Sequence, residues 1–160
     1  MSDVTTMTDD KLPPSTAVAD SKHDRRTLKD LRGVQVLVEE LNAEAVQAGL
    51  RKATLATDVE LRLRQVGITV VSKGDPTLYV RVGVQASQWG PYFYTVRVEL
   101  FQTVTLKRDP TITTFGSTWH ARGVFGTVPP SGAPSEAIKG SVRDKVDEFI
   151  NAYLAVNPKR

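Results

Sequence analysis

The chain contains no cysteine. That removes disulfides, zinc–thiolate sites, iron–sulfur clusters and cysteine nucleophiles together. Histidine is scarce as well: only His23 and His120 occur, and no G-x-S-x-G elbow accompanies them. Nucleophilic catalysis needs a base beside its nucleophile, so the sequence offers little to build one from. A phosphate loop requires a glycine-rich turn that opens a helix, whereas Gly74-Asp75-Pro76 leads into a strand pattern. Asp144, Asp147 and Glu148 are interleaved with Arg143 and Lys145, the habit of a solvated helix face rather than a metal site. No catalytic residue, cofactor or metal is therefore expected. Apolar runs long enough to span a bilayer, about 18–20 residues, are missing. Residues 1–22 also lack the apolar core of a secretory leader, which keeps a cytoplasmic location as an alternative.

What is present suits one domain with a tail. The chain has 160 residues, of which 40% are hydrophobic and 24% charged, enough to build a real core. The net charge of +3 is unevenly divided: residues 1–30 sum to −1 and residues 31–160 to +4. Residues 1–30 are polar, aperiodic and proline-containing, the composition of a disordered tail. Lys22, His23, Asp24, Arg25 and Arg26 read as part of a solvated linker, with a polyanion-binding arm as the sharper alternative.

The strongest signal is an alternation of apolar residues. Leu78, Val80, Val82 and Val84 fall on every second position, and Tyr92, Tyr94, Val96, Val98 and Leu100 repeat the pattern after a turn. Period 2 marks strands with one face buried and one wet. Val34, Val36 and Val38 predict an earlier strand, and residues 68–71 a short buried one. Phe115, Ser117, Trp119, Ala121, Gly123 and Phe125 predict one last strand. Helical spacing appears in Leu55, Val59, Leu63 and Val66, where Asp58–Arg62 and Glu60–Arg64 add i,i+4 pairs. A shorter helix is predicted over residues 43–48, with Asn42 as its cap. The final helix carries the stripe Ile138, Val142, Val146, Phe149, Ile150, Tyr153 and Leu154.

This order, β-α-β-β-β-β-α, predicts a two-layer α+β sandwich over residues 31–158. A largely antiparallel sheet of about five strands is covered on one face by two amphipathic helices. The other face stays open, and strand parity assigns its residues: Tyr79, Arg81 and Gln85; then Phe93, Thr95, Arg97, Glu99 and Phe101; then Thr118, His120 and Arg122. Arginines among aromatics on a sheet can neutralise and stack single-stranded nucleic acid. The plainer reading, which we favour, is cross-strand pairing with Glu99 balancing an arginine. His120 reads as a surface residue of that face rather than a general base. Trp89 lies in the turn before Tyr92; burial over the sheet end is expected, and exposure would mark a binding contact.

Some stretches carry a resemblance. They are residues 57–68 (TDVELRLRQVGI), 78–82 (LYVRV) and 94–100 (YTVRVEL), then Thr118-Trp119 with Gly123 and Gly126, and the ending 146–158. Together they resemble a family of uncharacterised bacterial α+β proteins that are usually exported. More loosely, the arrangement is similar to small envelope-associated domains of lipoproteins and secretin-type machines, a likeness of fold alone. The resemblance implies a periplasmic or secreted setting and no catalytic residues. The expected role is a non-catalytic binding or assembly domain of the bacterial cell envelope, with a protein partner or a second copy on its open face or edge. A single-stranded nucleic-acid module using Arg81, Arg97 and Arg122 is the alternative.

Overall fold

The computed structural model describes residues 19–159. Residues 1–18, most of the expected tail, lie outside them. Ten elements follow in order: α1 (Lys22–Arg26), β1 (Val34–Val38), α2 (Ala43–Gln47), α3 (Lys52–Gln65), β2 (Val70–Val71), β3 (Thr77–Ala86), β4 (Tyr92–Leu106), β5 (Asp109–His120), β6 (Val124–Val128) and α4 (Pro134–Val156). They form an α+β fold with one open sheet in the order β2-β1-β3-β4-β5, and β6 also pairs with β4.

The sheet is mostly antiparallel, with one mixed region. β1 runs parallel to both its neighbours, β2 and β3. The path from β1 through α2 and α3 to β2 is a crossover, which is how parallel strands must be joined. The β3–β4 and β4–β5 pairs are antiparallel hairpins.

Alternation decides what is buried. Leu78, Val80, Val82 and Val84 of β3 and Tyr94, Val96, Val98 and Leu100 of β4 all turn inward. They meet Leu55, Val59 and Leu63 of α3 and Ile138, Val142, Val146, Phe149 and Ile150 of α4, which are buried as the helical stripes require. Among the described residues no polar or charged one is buried. Phe149 is wholly buried, its ring set edge-on to Trp119 at 5.3 Å between centroids.

Helix-to-helix polar contacts partly differ from the sequence reading. Glu60 and Arg64 do pair, at 2.9 Å. Arg62 instead reaches Asp147 of α4, and Asp58 accepts from Arg143 of α4 at 2.8 Å. The two helices lie side by side, so carboxylates and guanidiniums exchange partners across the seam. Asn42 occupies the N-cap position of α2 but makes no side-chain cap bond. Its Nδ2 donates to the Val84 carbonyl at 2.6 Å and ties α2 to the end of β3.

Residues 19–30 correct the boundary of the expected tail. Ser21 caps α1 by accepting from the Asp24 N–H. Leu28 is completely buried in the common core. The Asn157 side chain accepts from the Asp30 N–H and donates to the Leu28 carbonyl. Asp20 pairs with Arg25 and accepts from the Trp119 indole at 3.0 Å. A polar composition hid one anchoring leucine and the tertiary bonds around it.

The predicted last strand is really two. β5 pairs with the second half of β4 and β6 with the first half, and residues 121–123 break the line between them. β6 passes close over β4: a Cβ at Gly126 would lie 2.3 Å from the Tyr94 ring. Glycine there lets Tyr94 lie flat and bring its hydroxyl to Ser141 of α4 at 2.9 Å.

Candidate functional site: the open sheet face

Among the described residues no helix covers the second face of β3, β4, β5 and β6, and the side chains on it follow from register. Tyr79 stands opposite Glu99, Arg81 opposite Arg97, Gly83 opposite Thr95 and Gln85 opposite Phe93. Five predicted face residues, Tyr79, Arg81, Phe93, Arg97 and Phe101, are thus brought together. Tyr79 and Phe101 meet edge to face at 5.8 Å.

The charges are arranged differently from the sequence expectation. Glu39, just beyond β1, takes both ends of the Arg81 guanidinium; Nη2 donates to Oε1 at 2.9 Å and Nε to Oε2. The guanidinium holds the Glu39 carboxyl below its usual range. Partial burial, then the nearby Glu39, raises the Tyr79 phenol. Arg81 is therefore neutralised from β1, not by Glu99. Arg97 faces Arg81 directly and has no ion pair among the described residues. Glu99, two residues along the same strand and also without an ion pair among the described residues, balances it in formal charge, so the face carries an unpaired cation beside an unpaired carboxylate.

Two shallow grooves flank Arg81. One, of about 460 Å³, is lined by Glu39, Arg81, Gly83, Gln85, Phe93 and Phe125. Its floor is Gly83, where a Cβ would stand 2.9 Å from Thr95 Oγ1. The other, of about 430 Å³, is lined by Leu37, Tyr79, Arg81, Glu99, Phe101 and Phe115. Its walls are largely apolar.

Unbroken alternation with Thr118, His120 and Arg122 on the open face predicts Phe115 and Phe125 on the buried one, whereas both are on the open face. Phe125 is 71% exposed and stacks on Phe93 at 6.0 Å; Phe115 is 58% exposed. The cause is a β-bulge. Leu100 pairs with Trp119, but Phe101 pairs with Ser117, so Thr118 is the extra residue. One inserted residue exchanges the faces of everything beyond it. Thr118 thereby leaves the open face; its Oγ1 accepts from Gln102 at 2.7 Å on the helix side. The break at residues 121–123 shifts parity a second time, placing Phe125 opposite Thr95. The interrupted alternation at Gly116-Ser117-Thr118 and at Gly123 was the available signal.

His120 keeps its predicted place, opposite Glu99 and half-buried. Arg122 does not join Arg81 and Arg97. It stands in the break, outside both strands, with its backbone N–H held by Glu148 of α4 at 3.0 Å. Trp89 is 94% exposed at the β3–β4 turn, contrary to the burial expected for it. The strands' last register pair is Ala86 with Tyr92, and Trp89 lies beyond it. Its N–H reaches only Ser87 Oγ, at 3.4 Å.

Among the described residues no group of three His, Asp or Glu converges as metal ligands would, and no helix is long and apolar enough to cross a membrane. No protein-family model matches the chain, and no curated protein matches it either.

Proposed function

We propose that this domain is a non-catalytic binding module that takes a protein partner on the open face of its sheet. One observation carries the reading: Phe115 and Phe125, both more than half exposed, rim two grooves on a face that no helix covers among the described residues. Large apolar side chains clustered on an uncovered surface are characteristic of interaction sites. Aromatic anchors in pockets around an arginine are also what dominates protein interfaces energetically. The partner segment that fits would present apolar side chains to the grooves and a carboxylate to Arg97. The motif resemblance supports placing this role in the bacterial cell envelope.

The nucleic-acid alternative is weakened by the same geometry. Glu39 occupies Arg81, and Arg122 is out of register, so three arginines do not line up along a strand of phosphates. With Glu39 and Glu99 balancing Arg81 and Arg97, a face of this kind gives little counterion release.

Selection of random peptides on the immobilised full chain tests the proposal. The expected winners combine aromatic or aliphatic residues with an acid. Phe125→Ser and Arg97→Ser should abolish their binding, while Thr105→Ser should not. Winners that ignore the open-face variants would overturn the reading. Tight, steeply salt-dependent binding of single-stranded RNA or DNA, lost when Arg81, Arg97 and Arg122 all become alanine, would replace it with the nucleic-acid module.

A further inference from the structure

The two edges of the sheet are unlike. One ends in β2, a strand of two residues. The other is made of β5, twelve residues long, and the five-residue β6 that follows it along β4. A bare edge strand offers unpaired N–H and C=O groups to any other strand, and proteins normally guard it with charge, proline, bulges or a covering segment. On β5 the guards stand only at the ends. Pro110 lacks a donor at one end. At the other, the bulge at Thr118 is joined by two caps: Thr27 Oγ1 donates to the Thr118 carbonyl at 3.2 Å, and the Asp20 N–H to the His120 carbonyl at 3.2 Å. Residues 111–117 between them have no pairing strand on their outer side among the described residues.

That stretch, Thr-Ile-Thr-Thr-Phe-Gly-Ser, carries no charge and is rich in β-branched residues. Ile112 and Phe115 are both exposed, at 43% and 58%. Their odd spacing sends them to opposite faces of the sheet. A docking helix would cover one of the two; an added strand covers both.

We infer that β5 is a self-association seam, where a second copy of this chain pairs antiparallel to residues 111–117 across a two-fold axis. A two-fold contact presents the same surface to itself, so it must be self-complementary. Residues 31–160 sum to +4, and two such domains repel each other over most approaches. The neutral β5 edge is where they meet with no like charges opposed. A register centred on Thr114 pairs Thr111 of one copy with Ser117 of the other, so the paired stretch is the uncharged one and Lys107 and Arg108 stay beyond it. This contact shares Phe115 with one open-face groove and leaves the other, lined by Phe93 and Phe125, untouched.

Sedimentation of the full chain across roughly 1–100 μM should show a dimer that grows with concentration. Thr113→Lys puts an ammonium on an exposed edge position. It should keep the circular dichroism of the parent and raise the dimer Kd at least about tenfold, since like charges then meet across the axis. The natural absence of cysteine allows a second readout: Thr114→Cys should form a disulfide-linked dimer on mild oxidation, and Thr95→Cys, on the open face, should not. Phe125→Ser should leave the dimer unchanged, which separates this contact from the peptide-binding face. A monomer at every concentration would overturn the inference, as would a dimer insensitive to Thr113→Lys. Dimerisation seen only after removal of residues 1–18 would also overturn it, by making that segment the occupant of the edge in the intact chain.

Discussion

The two faces of β3 and β4 are built from the same strands and differ in nearly every physical respect. On the helix side Val80, Val98 and Leu100 are essentially inaccessible, and among the described residues no polar or charged residue is buried with them. On the open side their chain neighbours are Arg81, Arg97, Glu99 and Phe101, of which Arg81 is held by an ion pair with Glu39 and Phe101 by the edge of Tyr79. One face is determined by volume and dryness, the other by partner choice and reach. The lesson is that substitutions of equal size should have very unequal effects on the two faces.

Phe149→Ala against Phe125→Ser is the widest contrast. Phe149 is wholly enclosed, and truncating it should cost about 3–5 kcal/mol, the usual range for a buried aromatic. Phe125 is largely in solvent, and its change should stay within about 0.5 kcal/mol. Urea denaturation of both variants reads the difference; equal losses would erase the distinction between the faces.

Leu28→Ala comes next, at about 2–5 kcal/mol, because Leu28 belongs to the same core despite its polar surroundings in sequence. A variant as stable as the parent by thermal melting would detach residues 19–30 from the domain. Gly126→Ala should cost about 1–3 kcal/mol, since the new methyl displaces the Tyr94 ring and its bond to Ser141. Ser141→Ala should remove part of that penalty in the double variant, because both act on one ring.

The smallest effect belongs to the open face. Folding lowers the Glu39 pKa, chiefly through Arg81. The pair therefore stabilises fully above the ordinary glutamate range, and the contribution fades as pH falls through the lowered value. Glu39→Gln should flatten this small part of the acid limb of the stability–pH curve and reduce its salt sensitivity. A curve unchanged by Glu39→Gln would show that the pair is worth nothing to folding.

Much of the covered face could be read in advance. Strict alternation over β3 and β4 and the helical stripes of α3 and α4 mark which side chains need burial, and the two-layer α+β arrangement follows from them. Tyr79, Arg81, Phe93, Arg97 and Phe101 share a face because no residue is inserted along β3 or the paired part of β4. The partner of Arg81 was harder to read. Glu39 lies 42 positions away in sequence and reaches it only because β1 runs parallel beside β3.

Local sequence thus determined most of the elements from β1 to β4 and the final helix, the inward side of the central hairpin and the lack of any cysteine chemistry, because periodicity and composition act over short distances. The tertiary structure alone decided that β1 lies parallel to β3, that Leu28 joins the core, that Thr118 bulges and that Arg122 leaves the strand. Each of those depends on which distant backbone a residue is laid against. One bulge transferred Phe115 to the open face, since strand parity is relative to a partner and is lost wherever one chain gains a residue on the other.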